Sequence, residues 1–133
     1  MSNLVDQIIG SLFQGNAVTI QGASGAGKSE TMRLLKCLLE QDGKRAVYMD
    51  MRHVKGPQEF FSEIAEQLKL DRHDASDVLQ EFDQGNIALL LDEYWAGAVT
   101  ADRAVQYAHQ KANYVVTIAG QPKGVRLEEY IMR

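Results

Sequence analysis

Gly22-Ala23-Ser24-Gly25-Ala26-Gly27-Lys28-Ser29 joins a short apolar run to an amphipathic one. The run before it, Ala17 to Gln21, has the length and composition of a strand. The run after it, Lys28 to Gln41, places Met32, Leu35, Leu38 and Leu39 on one side of a helix, with Gly43 as its stop. Strand, glycine-rich loop, helix is the setting in which Gly-x-x-x-x-Gly-Lys-Ser binds phosphate. Glycines allow backbone conformations closed to other residues, so successive N–H groups of Gly22, Ala23, Ser24, Gly25, Ala26 and Gly27 turn toward one anion. The helix that follows aims its positive dipole end at the same anion. Lys28 adds a full charge, the Ser29 hydroxyl is a ligand for Mg²⁺, and the Glu30 N–H extends the cradle. The Glu30 carboxylate suits a helix first turn.

Working outward, the rest of the chain alternates helix-like and strand-like segments, the mark of an α/β sheet with crossover helices. Asn3 to Leu12 carries Leu4, Ile8, Ile9 and Leu12 at helical spacing. Ala46 to Met51 reads as a second strand. Pro57 sits at the first turn of the next helix, with Phe60, Phe61, Ile64 and Leu68 as its stripe. A further helix is predicted over Ser76 to Phe82, capped by Ser76 or Asp77. Ile87 to Asp92 is apolar without alternation up to its last residue, as in a strand covered on both faces. Thr100 to Lys111 reads as a helix capped by Thr100 or Asp102, and Tyr114 to Ala119 as a fourth strand broken by Gly120-Gln121-Pro122. A terminal helix is expected from Val125. The phosphate-loop strand is expected centrally, beside the acidic strand.

That acidic strand ends in Asp92-Glu93. A carboxylate at a strand end near a phosphate loop holds Mg²⁺, usually through water, which assigns Asp92 to the metal. A glutamate directly after it is placed to polarise an attacking water, which assigns Glu93 to general base.

These two motifs, with Val115-Val116-Thr117-Ile118-Ala119-Gly120-Gln121-Pro122, resemble the AAA+ class of ATPases. Within it they resemble secretion ATPases of the ExeA type and the helper ATPases of transposition, TniB and MuB. The segment Val47-Tyr48-Met49-Asp50-Met51 and the helix after it are similar to that clade too. The resemblance implies a three-layer P-loop fold with a mostly parallel sheet of at least four strands. It also implies ATP and Mg²⁺ as ligands, and ATP hydrolysis by a switch or motor that acts on a protein partner, with DNA or secretion as settings. Gln121 would take the sensor position facing the γ-phosphate. Assembly into a homo-oligomer or hetero-complex, with an arginine finger supplied in trans, would make Arg103 and Arg126 candidates. The class carries a helical lid after its core, and the residues beyond Pro122 are too few for one. Residues 1–133 are therefore expected to form one core domain without a lid. A small P-loop kinase and a nucleotide-binding interaction module without turnover stay open as alternatives.

Composition agrees with a globular domain: 133 residues, 45% hydrophobic and 24% charged. The net charge of −4 argues against nonspecific DNA binding by the chain alone. One cysteine, Cys37, excludes an internal disulfide and is expected to be packed among the helix leucines. With no signal-like N-terminus and no membrane-length apolar run, a cytoplasmic location is expected. His53, His73 and His109 have no metal-ligand spacing. Asp50 is read as a strand-end residue, with substrate positioning or base in a kinase as the alternative, and Tyr94 with Trp95 as core packing, with an exposed partner or DNA contact as the alternative.

Overall fold

The computed structural model of the protein describes residues 2–133, with side chains from Leu4 onward. Its strands are β1 (Ala17–Gly22), β2 (Arg45–Asp50), β3 (Ile87–Asp92), β4 (Tyr114–Ile118) and β5 (Leu127–Met132). Its helices are α1 (Ser2–Phe13), α2 (Lys28–Gln41), α3 (Pro57–Gln67), α4 (Ala75–Gln84) and α5 (Ala98–Gln110). The five strands form one sheet in the order β2-β3-β4-β1-β5, and every pairing is parallel.

Alternation along the strands sorts the core into two halves. Val47, Met49, Ile87, Leu89, Leu91 and Val115 face α3, α4 and α5, which contribute Phe60, Ile64, Phe82 and Val105. Val18, Ile20, Ala88, Leu90, Val116 and Ile118 face α1 and α2, which contribute Ile8, Leu12, Met32, Leu35 and Leu39. Three layers follow directly from a sheet that is apolar on both faces. All six residues of β3 are buried, and each large aliphatic side chain there stabilises the fold by roughly 1.5–3 kcal/mol.

The structure corrects the expected strand order. β4 lies between the phosphate-loop strand β1 and the acidic strand β3. β1, β3 and β4 are all buried on both faces, so hydrophobic pattern carries no information about which neighbours which. The expected terminal helix is also corrected: Leu127–Met132 is an edge strand parallel to β1. Leu127, Tyr130 and Ile131 fall at helical spacing, and the intervening Glu128 and Glu129 hide any alternation. Those carboxylates serve the sheet edge instead. Glu128 Oε1 accepts from Ser11 Oγ at 2.6 Å and from Asn16 Nδ2 at 3.0 Å, and Glu129 Oε2 accepts from Gln21 Nε2 at 3.1 Å.

Smaller differences have local causes. α4 begins at Ala75 after Asp74 and α5 at Ala98 after Gly97, each earlier than the polar residues expected to cap them. Cys37 is exposed, because Met32, Leu35 and Leu39 define the buried stripe of α2 and Cys37 lies across from it. Tyr94 is fully buried while Trp95 is 64% exposed, so that pair divides between core and surface.

β5 explains one glycine of the loop. Gly22 has φ +153°, and a Cβ there would stand 2.4 Å from the Met132 carbonyl oxygen. Gly22→Ala is expected to cost about 2 kcal/mol or more from strain and backbone clash, read as a lowered thermal midpoint without nucleotide.

Candidate nucleotide site

The loop leaves β1 at Gly22 and enters α2 through Gly27, which has left-handed φ +92° at the N-cap. A residue with a side chain would be strained there. No side chain caps α2, so the N–H groups of Lys28, Ser29 and Glu30 have no partner within the helix and its N-terminus is uncovered for an anion. Lys28 Nζ donates to the carbonyls of Gly22 and of Ala23, the latter at 3.0 Å. No carboxylate pairs with it among the described residues. The ammonium group is thus stored on its own loop, with its charge available.

Opposite the loop stands the end of β3. Asp92 is 5% exposed. Its Oδ2 accepts from Tyr48 Oη at 2.8 Å and lies 3.3 Å from Ser29 Oγ, and its Oδ1 accepts from the Glu93 N–H at 2.9 Å. Burial, and then the bond to Asp92, push the Tyr48 phenol well above its ordinary pKa, so it remains a donor. The Ser29 hydroxyl and Asp92 carboxylate together form an oxygen pair of the kind Mg²⁺ takes.

A cleft of about 350 Å³ is lined by Ser24, Gly25, Gly27, Lys28, Ser29, Glu30, Asp92, Glu93, Ile118 and Ala119, within the usual range of ligand clefts. Two of its non-glycine residues, Glu93 (φ +52°) and Ala119 (φ +60°), have left-handed backbones, a strain that concentrates at functional sites. Threonines brace the end of β4: Thr117 Oγ1 and Thr19 Oγ1 both donate to the Gly120 carbonyl, at 2.7 and 2.9 Å.

Of the residues singled out from sequence, the loop, Ser29, Asp92 and Glu93 come together. Gln121 does not line this cleft; it is exposed, and its Nε2 donates to Glu129 Oε2 at 2.6 Å. Arg103 and Arg126 are exposed and away from the cleft lining. His53, His73 and His109 stay apart, and the described residues hold no cluster of three or more His, Cys, Asp or Glu fit to bind a metal.

Two further residues stand near the strand-end carboxylates. Tyr48 reaches Asp92 because β2 pairs with β3 in a register that sets Asp50 opposite Asp92. Arg52 is held by Asp50 through Nε and Nη2, at 3.1 and 2.7 Å, a bond that keeps the Asp50 carboxyl below its usual range. After Asp50, the Glu93 and Asp92 carboxylates also favour the charged form of Arg52. Nothing in the sequence signals the Tyr48 contact without the pairing of β2 to β3.

A second cleft of about 320 Å³ lies along β2 and α3. Its lining carries Asp50, Glu59, Glu63 and Glu66 and neither lysine nor arginine, a lining that repels a polyphosphate.

Tyr48→Phe is expected to leave the fold intact and to raise the Mg²⁺ concentration needed for tight nucleotide binding by about tenfold, the usual lower end for an orienting partner of a metal ligand. A Mg²⁺ titration of bound fluorescent nucleotide measures this.

Glycine-rich loop, uncapped helix and buried strand-end aspartate on an all-parallel sheet define a P-loop nucleotide-binding domain. The family model described as AAA domain matches residues 11–122, and the chain belongs to that family. Among solved structures the chain resembles Cdc6p from Pyrobaculum aerophilum, with 18% identity and a TM-score of 0.64 over 86% of this chain and 36% of that one. It resembles AMPPCP-bound DnaA from Aquifex aeolicus, with 15% identity and a TM-score of 0.60 over 93% and 44%. It resembles Drosophila ORC bound to poly(dA/dT) DNA and Cdc6, with 12% identity and a TM-score of 0.63 over 99% and 28%. The chain spans less than half the length of each of these structures. No curated protein matches it. No helix is long and apolar enough to cross a membrane among the described residues.

Proposed function

We propose that this AAA domain binds ATP with Mg²⁺ and hydrolyses it, as a switch or motor that acts on a protein partner. The observation that carries this is the convergence of Lys28, Ser29, Asp92 and Glu93 on one cleft. Lys28 leaves the carbonyls of Gly22 and Ala23 to hold the β- and γ-phosphates, and the loop N–H groups bind the same oxygens. Ser29 and Asp92 would hold Mg²⁺, which would neutralise charge on the phosphates. Glu93 accepts a proton from the attacking water as the water oxygen bonds to the γ-phosphorus and the bond from that phosphorus to the bridging oxygen breaks, which releases ADP and inorganic phosphate. Placing these groups on rigid elements supplies most of the catalysis, because phosphoryl transfer depends chiefly on positioning and electrostatics.

The nucleotide reading is supported by the AAA family and by the AMPPCP-bound state of the DnaA structure. Association with other chains, and a setting on DNA through a partner, are supported by the ORC structure with DNA and Cdc6. In a homo-oligomer or hetero-complex, exposed Arg103 or Arg126 would act in a neighbour's site. A sensor role for Gln121 requires its amide to exchange Glu129 for a phosphate oxygen. A cytoplasmic location fits the single exposed Cys37. Incubation with γ-labelled ATP and Mg²⁺ is expected to release labelled inorganic phosphate. Label retained on an added protein or metabolite would make the domain a kinase.

A further inference from the structure

Trp95 is the sole tryptophan of the chain. It stands two residues after Glu93 in the 3-10 turn Tyr94–Ala96. Its ring is largely exposed, yet the backbone beneath it is held in place. The Trp95 N–H donates to the Ala119 carbonyl at 3.0 Å, which ties the turn to the end of β4. The buried Tyr94 donates through its hydroxyl to Asp102 Oδ1 at 2.6 Å. A Cβ on Gly120 would stand 2.7 Å from the Trp95 nitrogen, so the β4 end and the turn meet backbone to backbone.

From this fixed turn the indole Nε1 donates to Glu93 Oε2 at 2.6 Å. It is a short bond to a carboxylate, of the strong, charge-assisted kind. No other side chain donates to the Glu93 carboxylate among the described residues. Oε2 is therefore committed to the indole, and Oε1 is left to accept from another donor on a side chain that lines the nucleotide cleft.

We infer that Trp95 is the positioning residue for Glu93: its indole N–H anchors Oε2 and presents Oε1 to the attacking water. This rests on the role of Glu93 proposed above. A half-exposed glutamate without an anchor spreads over many rotamers, and a hydrogen bond to a charged group biases such a population by roughly ten- to a hundredfold. An indole suits the task because it is a donor only and cannot take the proton that Glu93 must receive. Trp95 does not line the nucleotide cleft, so its effect falls on turnover and not on ATP binding.

The test has two arms. In the first, Trp95→Phe is compared with the unsubstituted protein in steady-state ATP hydrolysis. The ring is exposed, so circular dichroism and the melting midpoint are expected to be unchanged. The kcat is expected to fall about tenfold while KM for ATP stays within about twofold. In the second arm, which needs no nucleotide, the fluorescence anisotropy of Trp95 is compared in the unsubstituted protein and in Glu93→Ala. It is expected to drop on removal of the carboxylate, because the ring is freed. An unchanged anisotropy overturns the anchor. A kcat for Trp95→Phe equal to or above that of the unsubstituted protein overturns the positioning role even if the anisotropy drops. Absence of turnover in the unsubstituted protein would overturn the ATPase reading, and with it any catalytic role for Trp95, while the anisotropy arm still reports on the bond.

Discussion

Lys28→Ala is expected to weaken ATP binding at least a hundredfold. Lys28 supplies charge-assisted hydrogen bonds to the phosphates, each worth about 1.5–3 kcal/mol, and every 1.4 kcal/mol is a factor of ten in affinity. The loss is specific to the ligand. In the ligand-free fold Lys28 holds only the carbonyls of Gly22 and Ala23, and alanine is a good residue in the first turn of a helix. Calorimetric titration with ATP and Mg²⁺ measures the affinity, and an unchanged melting curve without nucleotide shows that the loop survives the change. Equal affinity in the two proteins would mean that the triphosphate does not sit on this loop.

Glu93→Gln is expected to lower turnover by about 10²–10⁴-fold, the usual contribution of a general base. ATP affinity is expected to stay within a few-fold. The amide keeps the size of the side chain and an acceptor oxygen for Trp95, and removes the basic group. Single-turnover phosphate release, set beside nucleotide binding under the same conditions, separates chemistry from affinity. Undiminished release would remove Glu93 from the chemistry and leave the binding site untouched. The two substitutions thus fail in different ways, one at affinity and one at rate.

The loop was legible because every fixed position has its own physical reason, and because a strand and an amphipathic helix flank it. The three layers were legible in the unbroken apolar run of β3. Lateral order was not. A strand buried on both faces shows the same pattern wherever it stands in the sheet, so the insertion of β4 between β1 and β3 has no local signature. β5 has no clear pattern because its inward contacts, half-buried Leu127 and buried Met132, are interrupted by carboxylates that serve Ser11, Asn16 and Gln21. The same limit hid Tyr48, which reaches Asp92 only through the register of β2 on β3. From sequence alone, Trp95 beside the acidic pair reads as core. The left-handed backbone at Glu93 and the turn behind it put the indole on the surface with its N–H on the carboxylate.

Whether a triphosphate is gripped by the amides of Gly22–Ser29 is tested most sharply by amide NMR during titration with ATP and Mg²⁺. Gly25, Gly27, Lys28 and Ser29 are expected to shift most and to saturate together, with Asp92 and Glu93 following. Saturating shifts centred on Asp50, Glu59 and Glu63 in the acidic cleft along β2, with the loop amides unmoved, would contradict that grip.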